Sequence, residues 1–286
     1  MHLVRRFAAA FSLVFFLAVG GSAQTMRFDT NVGSFDVILN PDNDANLRPL
    51  VDNLVAYIGL GRYHHTVINR AVDGGPGTAD DFVLQMGSFL AFPGSADLWA
   101  AARPSIQALT AVRTDINGDG QVDFTAKSNL RGTVSLALSN GPNTGTSSFF
   151  INLGNNTGLD SQGFVPFARI ADMATIDKIM GLTQRDLSTL SGSTGSLTFS
   201  DVPIFDDRLV VIEGVHVVQA SADFSFVGPI SRALASGSAT APIVAPGGSS
   251  SSLIGTNSGI GIGAPEPSTG LLCLIAIAAL KRRRQA

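Results

Sequence analysis

The sequence predicts a mainly β domain, an antiparallel barrel or sandwich capped by two helices, and three observations predict it. Short apolar runs with strand character recur along residues 24–221. Two stretches among them carry apolar residues at helical spacing instead. The region is long enough to bury a sizeable core, and both of its flanks differ from it in composition.

The elements follow in order. "MRFDTNVGSFDVIL" alternates on either side of Asn31-Val32-Gly33, a hairpin pattern. Leu47, Leu50, Val51, Leu54, Val55 and Ile58 then fall on one helical face; Pro49 suits the first turn, and Gly59 and Gly61 end the helix. Strands are expected at 66–70, 82–87, 132–138, 147–153 and 164–170. "MATIDKIMGL" reads as the second helix and "LVVIEGVHVV" (209–218) as the closing strand. Residues 73–81 and 90–126 interrupt this pattern as loop insertions. Phe149 and Phe150 are adjacent in a strand, so only one of them can face the core.

The flanks read as targeting segments. Residues 1–23 combine Arg5 and Arg6, an apolar stretch from Phe7 to Val19 and a small-residue site at Gly21-Ser22-Ala23, as in a cleaved secretory signal. Residues 222–263 read as a Gly/Ser-rich linker. Residues 264–286 hold Pro265-Glu266-Pro267, a short apolar run and the basic group Lys281 to Arg284. The run from Gly270 to Leu280 would make about 16 Å of helix, short for a hydrocarbon core of about 30 Å.

The two ends hold six of the 19 basic residues and one of the 22 acidic ones. That leaves 13 basic against 21 acidic groups between them, a balance that argues against nucleic acid as a partner. The only cysteine, Cys273, lies in the C-terminal apolar run, so no disulfide can form within the chain. His2, His64, His65 and His216 form no zinc-ligand set.

"INR", "FVLQMGSF", "NLRGTVSLAL", "TSSFFINLGNNTGLD" and "FVPFARI", in that order after the hairpin and the "VDNL" helix, resemble the cyclophilins, a family of peptidyl-prolyl cis–trans isomerases. The resemblance implies a closed eight-stranded antiparallel barrel capped by two helices, with a proline-binding groove on its outside. It implies Arg70 as the catalytic donor, although the residue taken alone reads rather as a surface salt bridge to one of the many Asp residues. Phe82, Val83, Phe150, Leu159 and Phe164 would form the apolar pocket. Gln85 would bind the substrate backbone, and Ala137 and Leu138 would lie along the peptide. No cofactor is required, and the expected partners are proline-containing polypeptides.

The chain departs from the family pattern at Asn69 for a His, Met86 for a Gly, Ser148 for a Gln, Gly158 for a large residue and Phe164 for a His or Tyr. A non-catalytic module that holds proline segments and a structural protein of the cell surface or matrix therefore stay open as alternatives. The tail resembles a PEP-CTERM sorting signal. That resemblance implies a sorting enzyme, transient membrane contact through the C-terminal segment, and a cell-surface or extracellular location in a Gram-negative-type bacterium.

"DINGDGQVD" places Asp115, Asn117, Asp119, Gln121 and Asp123 at calcium-loop spacing, with Gly120 at the sharp turn. Ala126 stands where the bidentate Glu belongs. Structural calcium and an Asp/Asn-rich turn that needs no metal both remain open.

Overall fold

A computed structural model describes residues 23–72, 82–91, 108–115, 117–123, 127–139, 141–187, 199–221 and 224–235. The expected signal up to Ser22, the insertion 73–81, much of 90–126, the linker from Ser236 and the tail 264–286 lie outside the described residues.

β1 (Thr25–Thr30) and β2 (Gly33–Leu39) form the opening hairpin, with Phe28 opposite Phe35 and Met26 opposite Val37. Their inward side chains alternate with outward polar ones, and the Phe28 and Phe35 rings stack at 5.3 Å. The turn is closed by Thr30, whose Oγ1 accepts from the Val32 and Gly33 N–H groups.

Helix α1 (Arg48–Gly59) starts with Pro49 in its first turn and buries Leu50, Leu54, Tyr57 and Ile58. β3 (Thr66–Val72), β4 (Val83–Leu90), β5 (Thr133–Leu136), β6 (Phe149–Asn152) and β7 (Pro166–Ile170) follow. Helix α2 (Ala174–Met180) seats on the hairpin: Thr175 Oγ1 donates to Ser34 O at 2.7 Å and Lys178 Nζ to Val32 O at 2.8 Å.

β8 (Thr183–Arg185), β9 (Val202–Phe205) and β10 (Arg208–Leu209) make a separate three-stranded sheet, and β11 (Val211–Gln219) closes the barrel. The barrel order is β1-β11-β3-β4-β6-β5-β7-β2, with β2 returning to β1. All its pairings are antiparallel. Closure removes every exposed edge, so the ladder hydrogen bonds are satisfied around the whole ring.

Phe28, Tyr63 and Phe149 fill the interior, with ring centroids 5.6–6.2 Å apart. Burial pushes the Tyr63 phenol well above its ordinary pKa, so it stays a neutral donor to Ser147 O at 2.8 Å.

Two features depart from the sequence reading. The small sheet has a core of its own, including Val67, Ala91, Phe199, Val202 and Leu209. Its strands are two to four residues long, too short for a period to show, and Pro203 sits inside one of them. The expected linker 222–263 is ordered in its first part: helix α3 (Val227–Ala235) packs on α1. Phe226, Ile230, Ala233 and Leu234 supply a helical stripe that the Gly/Ser content of the longer stretch obscured. A Cβ on Gly59 would lie 2.7 Å from the Phe226 ring, so α1 presents a bare backbone at that contact. Arg232 Nε also reaches Asp52 at 2.7 Å.

The folded unit therefore extends beyond Ser221. A chain ending at Ser221 should melt several degrees below one ending at Ala235, because about 1–3 kcal/mol of apolar burial against α1 is lost. Thermal unfolding of the two truncations measures it; equal melting temperatures would show α3 to be dispensable.

Candidate active site

The residues of the expected site are assembled by four strands. Arg70 on β3 pairs with Gln85 on β4, Gln85 with Phe150 on β6, and Phe150 with Ser135 on β5. Cross-strand partners share a face, so these four side chains form one row on the outside of the barrel. The neighbouring row, Ile68, Met86, Phe149 and Leu136, points inward. Phe149 thus joins the barrel core, while Phe150 meets the Phe164 ring edge-on at 5.5 Å.

Arg70 reaches the outer row through an irregularity. Ile68 pairs with Met86 and Arg70 with Gln85, so Asn69 is one residue extra on β3, a β-bulge. Regular alternation would turn Arg70 to the same face as Ile68. On the far side of Ile68 the excess lies on β4, around Gly87. Its φ is +92°, and a Cβ there would lie 2.7 Å from Ser147 O, so only glycine fits that position.

Arg70 is not a surface ion pair. It is 2 % exposed, and among the described residues its Nε and Nη2 have no hydrogen-bond partner. Val83 lies on the same face as Gln85, two residues back along β4. Phe82 directly precedes β4, and Ala137 and Leu138 directly follow β5, where Ala137 N–H donates to Ser148 O at 2.9 Å. Leu159 lies in the 3₁₀ turn Thr157–Gln162, and Phe164 follows that turn. Each of these apolar side chains leaves only a small fraction exposed. A Cβ on Gly158 would meet nothing within 4 Å, so that wall is open.

A polar knot that the sequence reading missed holds this wall in place. Asn129, fully buried, donates its N–H and Nδ2 to Asp160 Oδ1, each at 2.8 Å, and Nδ2 also to Phe164 O at 2.8 Å. Its Oδ1 accepts from Ser135 Oγ at 2.8 Å and Asn152 Nδ2 at 3.1 Å. Asn152 Oδ1 in turn accepts from Asn156, whose Nδ2 also donates to Phe82 O at 2.7 Å. Phe82 and Phe164 are therefore tied to one another through polar side chains, and Leu159 joins them through its backbone, its N–H donating to Asn156 O and its carbonyl accepting from Phe164 N–H. Asn129 and Asp160 sit inside the "NLRG" and "GLD" motifs, but nothing in those motifs shows that the two meet.

Burial pushes the Asp160 carboxyl up, but hydrogen bonds from Ser128 Oγ and from the Asn129 N–H and carboxamide outweigh it and hold the group below its usual pKa.

The Asp/Asn-rich loop is closed by its own amides. Asp115 accepts from the Gly118 and Gly120 N–H groups, Asp119 from Gln121 N–H, and Asp123 from the Asn117 N–H and Nδ2. Among the described residues no group of three or more His, Cys, Asp or Glu side chains is arranged to hold a metal. Of these contacts only that of Asp119 with Gln121 N–H spans two residues, as in an Asx turn; those of Asp115 and Asp123 span three to six. Gln121 and Val122 share a cleft of about 380 Å³ with Leu138, Pro142 and Gln162.

Replacing Asn129 by Ala should cost about 3 kcal/mol or more, because Phe164 O, Ser135 and Asn152 lose a buried partner together; denaturant unfolding measures it. The lowered pKa of Asp160 means that its stabilisation is complete above the unfolded carboxylate pKa and is lost as pH falls through the folded value. The gap in melting temperature between the parent and Asp160→Asn should therefore be full at about pH 6 and close on acidification below about pH 4.

Comparison with known proteins finds a family and relatives for this chain. The profile of the cyclophilin-type peptidyl-prolyl cis-trans isomerase/CLD family matches residues 25–195. Peptidyl-prolyl cis-trans isomerase B of Escherichia coli (strain K12) is 28 % identical over 200 residues, covering 67 % of this chain and 98 % of that protein. Peptidyl-prolyl cis-trans isomerase cyp18 of Streptomyces antibioticus is 26 % identical over 206 residues, covering 68 % and 98 %. A cyclophilin-type isomerase of Cryptosporidium parvum, solved in the presence of the dipeptide Ala-Pro, aligns over 69 % of this chain and 100 % of its own at 18 % identity and a TM-score of 0.45. By the family match over residues 25–195, the chain belongs to the cyclophilin-type peptidyl-prolyl cis–trans isomerases.

Proposed function

We propose that this protein isomerises X–Pro peptide bonds of exported polypeptides in the row that contains Arg70, Gln85 and Phe150. The observation that carries the reading is the state of Arg70. A buried donor without a partner costs about 1–3 kcal/mol, and Arg70 has two, Nε and Nη2, among the described residues. An incoming acceptor would satisfy both.

Rotation about a peptide bond faces a barrier of about 18–20 kcal/mol. No covalent bond forms or breaks and no proton is transferred, so the protein need only bind the twisted amide better than either planar form. Twisting ends amide resonance and leaves the prolyl nitrogen with a basic lone pair. The Arg70 guanidinium donates towards that lone pair. Phe82, Val83, Phe150, Leu159 and Phe164 hold the ring, and Gln85 grips the substrate backbone while the bond turns. Ala137 and Leu138 flank the bound peptide. The open space at Gly158 favours substrates with bulky residues near the proline.

Export is supported by the basic and apolar N-terminal segment, and surface sorting by Pro265-Glu266-Pro267 with the apolar and basic residues that follow. In this reading a sorting enzyme processes the tail after transient membrane contact.

Arg70→Lys keeps the charge but loses the planar fork of donors. It should lower kcat/KM for a proline-containing peptide at least about tenfold, or about 1.4 kcal/mol of barrier. Circular dichroism should show the barrel intact. A folded Arg70→Lys protein with parental activity would refute the assignment.

A further inference from the structure

Ser148 stands where the family has a glutamine, and its side chain has no role in the scheme above. It is buried, and it lies between two strands of the row. Its Oγ accepts from Gln85 Nε2 at 3.1 Å and lies 3.4 Å from Met86 O. Its own carbonyl accepts from Ala137 N–H. One residue thus touches the group that grips the substrate backbone and the strand along which the peptide lies.

A serine hydroxyl has one proton and two lone pairs. If the proton points to Met86 O, a lone pair is left for Gln85 Nε2–H. The carboxamide is then held one way round. Nε2 is used by the protein, and Oε1, which takes no hydrogen bond from any described residue, is left to act. A longer residue in place of Ser148 would reach past this position and leave the Gln85 carboxamide to turn over.

We propose that Ser148 is a positioning residue for the isomerisation: it locks the Gln85 carboxamide with its oxygen towards the substrate, so that Gln85 acts as an acceptor for a backbone N–H beside the X–Pro bond. The inference rests on the role given to Gln85 above. It replaces a direct substrate contact at position 148 with an indirect one through Gln85. It also sets a specificity: peptides whose backbone N–H groups flanking the X–Pro bond are methylated lose the contact.

A double-mutant cycle on the full-length protein tests it. Ser148→Ala should lower kcat/KM about fivefold, the worth of one hydrogen bond, with the change mainly in KM if the contact is made equally in ground and transition states. Gln85→Ala should lower it at least as much. The double variant should fall no further than Gln85→Ala, because Ser148 acts only through that side chain. Ser148→Thr, which keeps the hydroxyl, should retain most of the activity. Discrimination against a peptide N-methylated beside the X–Pro bond should be present in the parent and lost in Ser148→Ala.

Equal losses from Ser148→Ala in the parent and Gln85→Ala backgrounds would overturn the positioning role, since a purely structural effect is additive. Parental activity in Gln85→Ala, with activity lost in Arg70→Lys, would overturn it too while leaving the isomerase reading intact.

Discussion

Between Ile68 and Arg70 the β3–β4 ladder carries one residue more on β3 than on β4. The outer face of the barrel depends on that residue. Side chains alternate along a strand, so without the bulge Arg70 would share the inward face of Ile68 and meet Phe149 and Leu136. With it, Arg70 joins Gln85, Phe150 and Ser135 across four strands. A cation in the barrel interior would be unpaired among aromatic rings, which is prohibitively costly; on the outer row its donors can meet a ligand. The bulge also accounts for the buried Asn69, the extra residue itself.

The closed barrel supplies the rigidity that such a row requires. A one-residue slip in any ladder would exchange the inner and outer faces, and the packed inner row of Ile68, Met86, Phe149 and Leu136 opposes it. The outer face has no such deep core behind it. Its walls come from a 3₁₀ turn and strand ends, and there the Asn129–Asp160–Asn152–Asn156 knot does the holding. Apolar packing fixes the strands, and hydrogen bonds to backbone carbonyls fix the pocket residues that flank them. A fully satisfied polar network in a buried position specifies one geometry, because each alternative leaves a donor or acceptor unmet.

Of the substitutions that separate this chain from its family, Ser148 and Gly158 fall on that outer face and Met86 on the inner row. Ser148 is drawn into the protein's own hydrogen bonding, and Gly158 leaves a wall open. The inner row carries Met86 without disturbance, since its side chain simply fills core space while Gly87 beside it provides the unusual backbone.

Much of this was legible in the chain itself. Alternation located the opening hairpin, short apolar runs located the other barrel strands, and helical spacing located α1 and α2, because buried elements must carry apolar residues in a pattern. The adjacency of Phe149 and Phe150 required one ring in the core and one outside. Motif order identified Arg70, Gln85 and Phe150 of the row, but not Ser135. The tertiary structure alone decided the rest. Alternation cannot reveal a bulge, since the extra residue is recognised only by what pairs across from it, so the face of Arg70 was hidden. The strands of the small sheet are too short to have a period, and α3 was masked by the polar composition that follows it. The contacts of Asn129 with Asp160 and of Gln85 with Ser148 join residues 31 and 63 positions apart, and a hydrogen bond between distant residues leaves no local trace in sequence.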